Sequence, residues 1–73
     1  MSLATLPSAV ARIGETAGQV WHHLNEHGPQ SISKLVKDID APRDLVMQAL
    51  GWLAREDKLA IDEENRSRIV SLK

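Results

Sequence analysis

Three amphipathic helices followed by a two-stranded β-hairpin, a mostly α fold with a small β element (α+β), is the class this 73-residue sequence predicts. Three observations lead there. Apolar residues recur at helical spacing through three successive segments, glycine and proline punctuate the joints, and the period shortens near the C-terminus.

In the first segment Ile13, Ala17, Val20, Trp21 and Leu24 fall at i, i+4, i+7, i+8 and i+11, the stripe of a helix with one buried face. Trp21, the largest of these, is expected at the centre of the core. Gly28-Pro29 ends the helix, a glycine for the left-handed cap and a proline that cannot continue. Its start is favoured near Arg12, which leaves residues 1–11 as an N-terminal arm or a helix extension and 12–73 as the domain. The alternative opening is Pro7-Ser8, which would add Val10 to the stripe.

Ser31 precedes Ile32, Leu35, Val36 and Ile39, again at helical spacing, and is a good N-cap because its hydroxyl accepts from an otherwise unpaired backbone amide. This short helix closes at Asp40-Ala41, and Pro42 suits the first position of the next. Val46, Ala49, Leu50 and Leu53 form the core face of the third helix, which runs to about Glu56. "KLAID" and "RSRIVSL" then read as two strands, joined by a loop of about four residues, Asp62-Glu63-Glu64-Asn65.

Composition narrows the function classes. The only aromatics are Trp21 and Trp52, so the core is mainly aliphatic and small, and a homodimer is a reasonable expectation for a chain of this size. The absence of cysteine excludes disulfides and Cys-based zinc sites and fits a cytoplasmic location. The N-terminal residues make a poor signal peptide, and no apolar run is long enough to span a membrane. A formal net charge of −1 provides no overall electrostatic footprint for nucleic acid.

The order of elements, with "SISKLVKDI" and "APRDLVMQALGWLARED" joined by a tight turn, resembles a winged helix-turn-helix. "IGETAGQVWHHL" together with "ALGWLAREDKL" is similar to a family of small single-domain bacterial and archaeal winged-helix proteins of unknown function, related in fold to transcription regulators. The resemblance covers roughly residues 13 to 72. It implies the fold and a homodimer, and no established activity.

In such a fold the third helix would read double-stranded DNA. Its outward face carries Asp44, Gln48, Gly51 and Arg55, with Met47 on one flank and Leu45 and Trp52 on the other. Gln48 has the donor–acceptor pair that matches adenine, while Arg43 and Arg55 match guanine or phosphate. Lys34, Arg66 and Arg68 complete the candidate nucleic-acid contacts. Against this, the acidic run Asp62-Glu63-Glu64 is expected at the wing tip, where a cation would face phosphates, and the charges from Ser31 to Lys73 cancel. The alternative function is a protein-interaction or dimerisation module without DNA binding, with Leu45, Gly51 and Trp52 as partner contacts.

Other chemistry finds little support. His23 and His27 stand at i, i+4, a spacing that can share a metal, but no third ligand completes a set, so no metal or cofactor is expected. No nucleophile elbow, phosphate-binding glycine loop or paired-carboxylate cleft is present, and neither an enzyme nor a small-molecule ligand site is evident. Gly14-x-x-x-Gly18 makes a notch of small residues, expected to be filled from within the domain.

Overall fold

The computed structural model describes residues 8–73. Six elements follow one another: α1 (Ala9–His27), β1 (Gln30–Ser31), α2 (Ile32–Asp38), α3 (Arg43–Arg55), β2 (Leu59–Glu64) and β3 (Ser67–Leu72). The helices pack around a small aliphatic core, and the strands form one antiparallel sheet in the order β1-β3-β2.

α1 begins three residues before the favoured Arg12, because Ser8 supplies the cap: its Oγ accepts from the Ala11 amide at 3.1 Å. The added turn buries nothing, since Val10 is 58% exposed. Residues 1–7 of the proposed arm lie outside the described residues. Thr16 is buried and its hydroxyl donates to the Arg12 carbonyl at 2.8 Å. At the far end Gly28 adopts φ 79° and its amide donates to the Leu24 carbonyl at 2.8 Å. An L side chain is strained at that φ although space is open around it, so Gly28→Ala is expected to lower stability by about 1–2 kcal/mol, measured by urea denaturation.

The centre of the core is not Trp21. Val20, Leu35, Val46 and Val70 are the largest fully buried side chains, while Trp21 is half-buried and packs against the cluster from its edge. Helical phase explains this: the buried arc of α1 runs from Thr16 through Val20 and Leu24 to Ala17, about 100° wide, and Trp21 lies roughly 40° beyond its Ala17 edge.

Ser31 caps α2 as expected, accepting from the Lys34 amide at 3.1 Å. It also belongs to β1, a two-residue strand that the sequence reading missed, in register with β3 through Gln30↔Val70 and Ser31↔Ile69. Two residues are too few for any periodicity to register. α3 starts at Arg43 with Pro42 one position earlier, as its N-cap. Its buried residues are the expected Val46, Ala49, Leu50 and Leu53. It ends in a Schellman pattern: the Asp57 amide donates to Ala54 and the Lys58 amide to Leu53, with Asp57 at φ 62°.

The hairpin is tighter than the expected four-residue loop. β2 runs through Glu64 and pairs to the end with β3: Asp62↔Ile69, Glu63↔Arg68, Glu64↔Ser67. The turn is Asn65-Arg66 alone, both at positive φ (47° and 71°), as a type I′ hairpin turn requires. The acidic run therefore lies along a strand, and the tip of the wing carries an arginine.

Candidate nucleic-acid interface

The candidate side chains of α3 separate onto two flanks. Arg43, in the first turn, faces the wing. There it lines a cleft of about 130 Å³ together with Ser31, Ile32, Ser33, Arg66, Ser67 and Arg68. Four elements thus bring three arginines to one place: the β1–α2 junction, the start of α3, the hairpin turn and β3. Among the described residues no ion pair involves Arg43, Arg66 or Arg68, although Glu63 stands opposite Arg68 in the ladder.

Gln48 takes the other flank. With Asp44 and Leu45 of α3 it lines a cleft of about 280 Å³ whose opposite wall is Ala9 and Arg12 of α1. The Asp44 carboxylate accepts from the adjacent Leu45 amide at 3.0 Å. Trp52 is on the same flank, 38% exposed. It borders a further cleft of about 290 Å³ with Gly14, Gly18, Trp21 and His22 of α1. Among the described residues none fills the α1 notch: a Cβ built on Gly14 or Gly18 meets nothing within 4 Å. Both glycines lie roughly 120–160° from Val20 around the helix, away from the core that α1 and α3 share.

Lys34 is apart from the arginine cleft and pairs with Asp38 at 3.3 Å, an exposed i, i+4 bridge. Arg55 and Gly51 are exposed on α3, and neither lines the arginine cleft. His23 is more than polar surface. Its Nε2 lies 3.0 Å from Gln30 Oε1 and 3.5 Å from Asp38 Oδ2, tying α1 to β1 and α2. Its ring lies 4.4 Å from that of His27, but no group of three or more metal-ligating side chains occurs among the described residues. No helix among the described residues is long and apolar enough to cross a membrane.

A helix-turn-helix with its third helix half exposed, followed by an antiparallel hairpin reaching beside that helix, defines a winged helix-turn-helix domain, a class not typically enzymatic. Residues 8–72 match the family model described as "Winged helix-turn-helix domain (DUF2582)", and the chain belongs to this family. It is 38% identical over 65 residues to the uncharacterized protein MJ1608 of Methanocaldococcus jannaschii, spanning 85% of this chain and 91% of that one. The solution structure of protein BT2368 from Bacteroides thetaiotaomicron is similar at TM-score 0.77 and 35% identity, covering 85% of this chain and 76% of that one. The crystal structure of an ArsR family transcriptional regulator, RHA00566, matches at TM-score 0.63 over 97% of this chain and 77% of that chain. Its identity is 20%, so that likeness is one of fold.

Proposed function

We propose that the protein is a double-stranded-DNA-binding domain of the transcription-regulator type, acting as a homodimer in the cytoplasm. The observation that carries this reading is Arg66. It occupies the second turn position of the wing at φ 71°, where glycine is the unstrained choice. A long cationic side chain in that conformation motivates the hypothesis that the side chain has a use. The use that fits is electrostatic: a cation at the wing tip, next to Arg68 and on the side of Arg43, offers the charge that displaces counterions from phosphates. Local concentration of charge thus offsets the neutral total. The shared fold with an ArsR family transcriptional regulator is consistent with this role.

A second reading, an interaction module that binds no DNA, is favoured by one observation. Among the described residues nothing fills the groove between α1 and α3, where Trp52 is exposed beside the notch at Gly14 and Gly18. The two readings part on salt. Binding of a mixed-sequence duplex at about 50 mM salt, weakening steeply towards about 200 mM, is expected from the first. Absence of binding at low salt, with sedimentation showing self-association that Trp52→Ala abolishes, would replace it with the second.

A further inference from the structure

A polar cleft lies between the tip half of the wing and the start of α3. Its volume of about 130 Å³ gives room for a single tetrahedral oxyanion. Arg43 lines it together with Arg66 and Arg68, 23 and 25 residues further along the chain, and no Asp or Glu is among the lining residues. Three like charges gathered around one polar space repel one another, and an anion between them reverses the sign of that interaction. The planar fork of arginine matches a phosphate oxygen pair, and Ser31, Ser33 and Ser67 also line the cleft and carry hydroxyls of the kind that donate to an oxyanion. Ser31 is suited to this even while capping α2, because its oxygen accepts from the Lys34 amide and its O–H remains a free donor.

We propose that this cleft seats one phosphate group, held jointly by Arg43, Arg66 and Arg68. The source is a backbone phosphodiester when DNA is bound; that source rests on the reading above, whereas the oxyanion chemistry of the cleft does not. The seat fixes the wing against the start of α3, so that a single phosphate sets the position of the domain on the duplex.

The test uses fluorescence anisotropy of a labelled mixed-sequence duplex against KCl concentration, for the wild type, for Arg43→Ala, Arg66→Ala and Arg68→Ala, and for the triple variant. One shared phosphate means that the triple variant loses one contact's worth of counterion release: the slope of log K against log salt should shrink by about 0.9, and affinity in 0.1 M salt should fall about 8-fold. Each single variant leaves two cations on the phosphate and should lose no more than that, so the single losses cannot add up in the triple variant. A slope loss near 2.7 in the triple variant, the sum of three separate contacts, would overturn the shared seat. If the wild type binds no duplex, inorganic phosphate is titrated into the ¹⁵N-labelled protein. Shifts of the Ser31, Ser33 and Ser67 amides that vanish in the triple variant would remove the DNA reading and keep the seat for a free phosphate ester. No such shifts would remove both.

Discussion

Leu35→Ala is expected to lower stability by about 2–5 kcal/mol, the range for emptying a fully buried leucine site. Leu35 is 0% exposed and is one of only two buried residues of α2, the other being Ile32. A seven-residue helix has little intrinsic stability and is held by what it buries. Removal of this side chain therefore undocks the helix as well as leaving a cavity. A 73-residue domain has about 4–11 kcal/mol of net stability in total, so the variant should approach the unfolding threshold at ambient temperature. With a urea dependence of about 1 kcal/mol/M, the midpoint should fall by about 2 M or more. A loss below about 1 kcal/mol would mean that α2 docks by something other than its buried stripe.

Arg66→Gly should separate stability from function, and in opposite directions. Asn-Gly is the pair that type I′ turns favour, and Asn65 already occupies the first position. Glycine at position 66 removes the strain of a side chain at φ 71°, offset in part by the greater freedom of glycine in the unfolded chain. The net expectation is unchanged stability or a gain of up to about 1 kcal/mol, read from urea denaturation. Affinity for duplex DNA in 0.1 M salt should meanwhile fall, by up to about 8-fold, as one of the cations on a backbone phosphate is lost. A variant that is destabilised, or that binds DNA as the wild type does, would show that Arg66 stands at the tip for another reason.

The parts of the fold legible in the sequence are those written as long periodic patterns. Val46, Ala49, Leu50 and Leu53 recur over two turns of α3 and all four are buried. Ser31 and Gly28 are side-chain chemistry in plain view, and both stand where expected. The hairpin turn was illegible for a physical reason. Asp62, Glu63 and Glu64 are residues typical of loops, yet β-sheet formation is decided by ladder pairing and context more than by local preference. Their misplacement moved the turn by several residues and hid Arg66 at the tip. The candidate site suffered in turn, because Arg43, Arg66 and Arg68 were each readable as surface cations while their meeting depends on the turn and on β1. Gln48 and Arg43 are both candidate base contacts in the sequence, but five residues set them about 140° apart around α3, and they line separate clefts.

The strand order gives the acidic run a meaning of its own. With β3 in the middle, β2 is an outer strand, and among the described residues no further strand pairs with its other side. Ile61 on that strand is 41% exposed, which on a bare edge would invite another chain to add a strand and begin aggregation. Asp62, Glu63 and Glu64 follow it directly, and two copies aligned along this edge would bring their carboxylates together. The residues that look ill-suited to a wing thus oppose the edge-to-edge addition of a further strand, while the wing's arginines stand on the turn and on β3.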